Sequence, residues 1–183
     1  MNFLDFPLLL SVMDKVNQLK GQIELLRNAE IRIRAELELL SLQPVSYEMS
    51  DFFQWAYNDN QISIGCLGEI ADLHQTGGNA STDEILSFFL QEMNSSILTH
   101  KGDNKSIEHV IAIYFHSILG YLVKNLVLAI EYASVVPDLI SVQFLTACLS
   151  HKQEIKNRIQ KLEEKIVTGS SKSRRHESDT IYA

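Results

Sequence analysis

Cys66, Glu69, Asp72 and His74 are the densest run of reactive side chains in the chain. Cys66, Glu69 and Asp72 follow one another at three-residue steps, so a helix would bring them to one face. A thiol beside an imidazole is the arrangement of nucleophilic catalysis. His74, however, stands eight residues from Cys66, roughly 12 Å along a helix, beyond the reach of proton transfer. The spacing favours a solvated helix face. A small helical enzyme would require a fold that converges Glu69, Asp72 and His74 in one pocket.

The remaining reactive residues are scattered. His109 and His116 are seven apart and share a helix face, but metal sites on one helix need i, i+3 or i+4 spacing with further ligands. Core or partly exposed histidines are the reading there. Gly65-Cys66-Leu67-Gly68 and Thr76-Gly77-Gly78-Asn79 lack the Lys-Ser/Thr pair and the preceding strand of a phosphate loop. Arg174-Arg175-His176 lies in a Ser/Lys/Arg-rich terminal run and not on a buried helix. The sequence therefore predicts no catalytic residue, no metal ligand and no cofactor.

The elements that carry these residues are helices. Leu9, Val12, Val16, Leu19, Ile23, Leu26, Ile33, Leu37 and Leu40 repeat at 3–4 spacing, and only Glu30 breaks the seam. That pattern keeps one apolar stripe on a neighbouring helix. The first helix is predicted from Pro7 to Ser41, with proline in its first turn and Gln43-Pro44 ending it. Two shorter helices follow, Asp51–Asn58 capped by Ser50 and Ile62–Gln75 stopping at Gly77-Gly78. Ser81 with Glu84 reads as a capping box for the next. Ser106 is expected to cap a helix from Ile107 to Ser134 that is apolar almost all round and must be surrounded. Pro137 is expected to start the last helix, ending near Val167. There Leu145, Cys148, Ile155, Ile159, Leu162 and Ile166 repeat the spacing, and Lys152 is the exception.

The prediction is an all-α, elongated bundle of five to six helices. It divides into a long heptad helix over 1–43, a smaller acidic helical cap over 44–105, a buried central helix with a C-terminal heptad helix over 106–168, and a flexible basic tail over 169–183. In this bundle the first, central and last helices run side by side.

Composition narrows the function. Apolar residues make up 45% of the 183, with three prolines and eight glycines, as expected of long uninterrupted elements around a core. The net charge of −7 is uneven. Residues 43–106 carry nine acids against two lysines, and residues 151–183 eight bases against five acids. An acidic middle repels phosphate backbones, so nucleic acid is an unfavoured partner. Two isolated cysteines and a start without basic residues before its apolar run point to a reducing, cytoplasmic setting. The sequons at Asn79, Asn94 and Asn104 carry no weight in such a setting. The longest charge-free run, His109 to Val123, falls short of a membrane span.

The charges beside the first seam bear on self-pairing. Lys20, Arg27 and Arg34 flank it on one side, and Lys15, Gln22, Ala29 and Glu36 on the other. A parallel pair sets Lys15 against Lys20, and an antiparallel pair brings bases together, which disfavours a simple zipper. Leu10, Leu25, Ile31, Leu39 and Leu42 widen the apolar surface toward several neighbours. The functional expectation is a non-enzymatic protein–protein interaction or assembly subunit, adaptor- or chaperone-like. Its partner-binding candidates are Leu9, Val16, Ile23, Leu26, Ile33 and Leu37 on the seam, and the aromatic cluster Phe52, Phe53, Trp55 and Tyr57. A homo-oligomer is one possible form. The alternative is a membrane-associated helical protein that dips Phe3-Leu4 and Phe6 to Leu10 into a bilayer.

Overall fold

A computed structural model describes the backbone of residues 6–76 and 83–179, and the side chains of 12–76 and 83–168. The described residues form five α-helices and no strand: α1 (Phe6–Leu40), α2 (Tyr47–Leu73), α3 (Glu84–Thr99), α4 (Asn104–Val135) and α5 (Leu139–Asp179). The all-α bundle is as expected.

Four long helices close a ring, with α1 beside α2 and α4, and α5 beside α2 and α4. Cross-links set their directions. Gln22 on α1 donates to Asn125 on α4, Lys165 on α5 pairs with Glu48 on α2, and His151 on α5 meets Asp59 on α2. Neighbours are thus antiparallel, and α1 faces α5 across the core diagonal. α3 is a short crossover along the outside of α4, burying Leu86, Leu90, Met93 and Ile97. It is tied to α1 by Arg32, which donates to Ser87 Oγ at 2.9 Å.

Both seams point inward. Leu19, Ile23, Leu26, Ile33, Leu37 and Leu40 on α1 meet Leu145, Cys148, Ile155 and Ile159 on α5 in one core. α4 touches α1, α3 and α5, and it buries Ile111, Phe115, Ile118, Leu122 and Leu126 among them. That contact with three helices is the surrounding its apolar circumference demands.

Several boundaries differ from the sequence expectation. Asp51–Asn58 and Ile62–Gln75 are one continuous α2, because the polar stretch that reads as a break, Asn58-Asp59-Asn60, places Asp59 and Asn60 in the core. Ser46, not Ser50, caps it by accepting from the Met49 N–H. Residues 44–105 accordingly supply one wall of the bundle, α2, and the flanking α3. Asp83 caps α3 through the Leu86 N–H, and Ser81 lies outside the described residues. Asp103, not Ser106, caps α4, and Ser106 Oγ donates to it at 2.6 Å. The turn before it uses Gly102 at φ 101°, where a side chain would be strained. α5 begins at Leu139, with Asp138 receiving the Ser141 N–H at 3.1 Å. It continues past Val167 to Asp179, through the stretch read as a tail.

The membrane-span expectation is also corrected. α4 is long and apolar enough to cross a membrane by length and composition, with mean hydropathy 1.5 in its best stretch. The apolar run resumes beyond Lys124-Asn125, so counting only the charge-free interval understated it.

The inward seams predict a sharp contrast in denaturant titrations. Leu26→Ala, in the core, should cost about 2–5 kcal/mol, whereas Leu98→Ala, 72% exposed, should cost less than about 0.5 kcal/mol. A chain beginning at Val45, stripped of α1, should show no cooperative unfolding transition.

Candidate functional site

Glu30 and Lys152 are the two residues that break the seams, and the fold brings them together. Each occupies a position whose side chain must face the core, one on α1 and the other on the opposite helix α5. Lys152 Nζ lies 3.0 Å from Glu30 Oε2 and 3.0 Å from Asp59 Oδ2 on α2. All three side chains are almost fully buried, at 2%, 2% and 6% exposure. Asn60 Nδ2 donates to Glu30 Oε2 at 2.6 Å and to the Glu30 carbonyl at 2.9 Å. At the rim, His151 Nδ1 donates to Asp59 Oδ1 at 2.9 Å. A carboxylate only accepts, so the proton sits on Nδ1.

The electrostatics follow from burial and pairing. Burial works against the Lys152 ammonium, but Glu30 and Asp59 outweigh it and hold its pKa above the ordinary 10.5. Burial pushes the Glu30 carboxyl up, against the pull of Lys152 and Asn60. Cys148 nearby is pushed up to about 12, chiefly by burial, then by Cys66 and Glu30. It is therefore a protonated, unreactive thiol at neutral pH. Two carboxylates surround one ammonium. Asn60 Oδ1 is buried and has no hydrogen-bond partner among the described residues, while its amide nitrogen is committed to two acceptors on Glu30.

This cluster can hold three helices in register, but it offers no reacting group to a substrate. Lys152 has both carboxylates as partners and stays an ammonium. The described surface clefts are lined by other residues: around Phe52 and Leu162, around His116 and Glu163, and around Leu37 and Tyr57.

The sequence-predicted residues are placed as follows. Ile23, Leu26, Ile33 and Leu37 are buried in the chain's own core, and Val16 is half-buried. Leu9 lies in α1, and its side chain is outside the described residues. From Leu19 to Leu40 the seam's apolar residues are therefore interior, covered by the chain's own helices, whereas Val12 is exposed. Phe52 and Phe53 are also buried, with Phe52 edge-on to Phe115 at 5.8 Å. Trp55 is half-buried under the Arg158 guanidinium at 3.7 Å, and the Tyr57 hydroxyl donates to Glu38. These aromatics pack α2 onto α4, α5 and α1.

Cys66, Glu69, Asp72 and His74 do not converge. Glu69 and Asp72 are exposed, whereas His74 turns to α5 and bonds Asp138 at 2.7 Å and Ser141 at 3.2 Å. His116 pairs with Glu163 at 3.6 Å, and His109 has no part in it. No group of three or more metal-ligating side chains occurs among the described residues. Sequence reasoning missed the polar core itself. Its signal was present in the two seam exceptions of opposite charge, but Asp59 was hidden in a stretch that reads as a helix end.

Compared with known protein families, curated proteins and solved structures, the chain matches none.

Removing one partner of a buried ion cluster costs more than removing all of it. Lys152→Met should destabilise by about 3–5 kcal/mol at neutral pH, leaving two carboxylates facing each other. The loss should shrink on acidification as one of them takes a proton. The triple replacement Glu30→Met, Asp59→Leu, Lys152→Met should lie close to wild type in the same urea titration.

A second expectation concerns Asp138. Burial opposes its charge, but hydrogen bonds from Ser141 and His74 prevail and hold its pKa below 3.8. A depressed folded pKa stabilises above the unfolded value, and the benefit is lost as pH falls. Asp138→Asn keeps the cap but loses that benefit, so it should be less stable than the native chain at pH 7, with the difference closing as pH falls below 3.8.

Proposed function

We propose that this chain is a non-enzymatic interaction or assembly subunit that acts through its outer surface. One observation carries the reading. The densest charged cluster is sealed and self-paired, while several large apolar and aromatic side chains are left in solvent. Phe88 and Ile85 are 59% and 54% exposed on the outer face of α3, with Phe89 against Phe88 at 6.0 Å. Aromatic side chains held on a rigid helix make interface anchors at small entropic cost. The seam residues act in this reading as scaffold, and the outward faces make the contacts.

Photocrosslinking in cells that express the chain tests this. A reactive side chain at Phe88 or Ile85 should give one reproducible partner adduct, absent when the probe sits at exposed Gln153. The adduct should survive the apolar replacement of Glu30, Asp59 and Lys152. Cellular activity that depends on Glu30, Asp59 and Lys152 and ignores Phe88→Glu would overturn the reading.

The membrane alternative has one observation in its favour, the length and apolarity of α4. Vesicle flotation separates the two readings: the interaction reading expects the folded chain to stay in the soluble fraction, and flotation with the vesicles would favour the alternative.

A further inference from the structure

The outer seam between α2 and α5 holds a cleft of about 340 Å³, floored by Phe52 and Leu162. Its two walls carry opposite charge. Glu48 and Asp51 line the α2 side, and Lys161 and Lys165 the α5 side. Tyr47 stands at the mouth, 85% exposed.

The walls are in register. Glu48 lies opposite Lys165, Trp55 opposite Arg158, and Asp59 opposite His151. Asp51 and Lys161 therefore sit at one height on facing walls. Both are exposed, and neither makes a hydrogen bond or ion pair among the described residues. Arg158 is already engaged, over the Trp55 ring and with Glu154 at 3.3 Å. Glu48 and Lys165 meet at 3.2 Å, but both are more than half exposed, so the bond is weak and exchangeable.

We propose that this face binds a second copy of the chain, through a two-fold axis parallel to the helices. Such an axis sets α2 of one copy against α5 of the other without changing height. Asp51 of each copy then meets Lys161 of its mate, and Glu48 can exchange Lys165 for the mate's Lys165. The contact is self-complementary, as a two-fold interface must be. Tyr47 of each copy is carried to the mouth of the other's cleft, over Phe52 and Leu162. A perpendicular axis would bring acid wall onto acid wall, so charge selects the parallel one.

This proposal deepens the reading of the chain as an interaction protein, and it names the partner for one face. The test is sedimentation equilibrium of the full chain from low micromolar to about 0.5 mM. A reversible dimer is expected. Asp51→Lys and Lys161→Glu should each weaken it at least about tenfold, because each homodimer then opposes like charges twice. Mixing the two variants should restore association. In that heterodimer the two substituted side chains face each other with opposite charges, and the second Asp51–Lys161 contact stays native. Both positions are exposed, and circular dichroism should show both variants folded. A chain that stays monomeric overturns the proposal, as does a dimer indifferent to both reversals or one that mixing fails to restore. A monomeric chain that still crosslinks a partner from Phe88 removes self-association alone and leaves the broader reading intact.

Discussion

The fold is organised around one buried cation. Lys152 sits 2% exposed between Glu30 and Asp59, so α1, α2 and α5 must come to one level for its charge to be met. A shift of any of these helices by one turn would leave an uncompensated charge in the core, at a cost of several kcal/mol. Apolar packing alone tolerates such sliding much better, because leucine and isoleucine fill neighbouring positions with similar energy. The cluster thus selects one register among those the seams would accept. Glu30 and Lys152 lie on diagonal helices, which is why a single ion group spans the bundle.

That constraint explains the remaining architecture. With α1 and α5 on the diagonal, α2 and α4 must fill the other two corners, and each is antiparallel to its neighbours. The chain cannot pass directly from the top of α2 to the bottom of α4, and α3 makes the return along the outside. It does so against α4, whose apolar circumference needs a third neighbour. Tyr121 on α4 donates to Asp83 at 2.9 Å, fixing where this return begins, and burial and that contact push the Tyr121 pKa up to about 12.

Much of this was legible in the residues. The seam on α1 named the core positions correctly from Leu19 to Leu40, whereas the all-round apolar helix, read as central, is one corner of the ring and leaves Ile113 and Val127 exposed. Boundaries were less legible for local reasons. Ser50, Ser81 and Ser106 are good caps by type, yet Ser46, Asp83 and Asp103 do the work, because serine and aspartate have nearly equal capping preference. Asn58-Asp59-Asn60 resembles a helix end because these residues compete for backbone bonds, and only tertiary pairing keeps them helical. Ile23, Leu26, Ile33 and Leu37 point inward for a related reason: heptad spacing specifies that a face is covered, but it is silent on whether the cover is the same chain. Glu30 and Lys152 were each visible as an exception; their meeting depended on which helices are diagonal, and no local pattern encodes that.

A chain so arranged turns its recognisable pattern inward, and the contacts proposed above fall to outward residues, Phe88 on α3 and the charged walls of α2 and α5. The account stands on Lys152 being a buried, paired ammonium. Nitrogen NMR of the lysine side chains measures this directly, with Lys152→Met identifying the signal. The predicted result is one slowly exchanging ammonium that stays protonated above pH 10.5, the ordinary lysine value. A Lys152 signal that exchanges as fast as the surface lysines, or loses its proton at or below that value, would contradict the account.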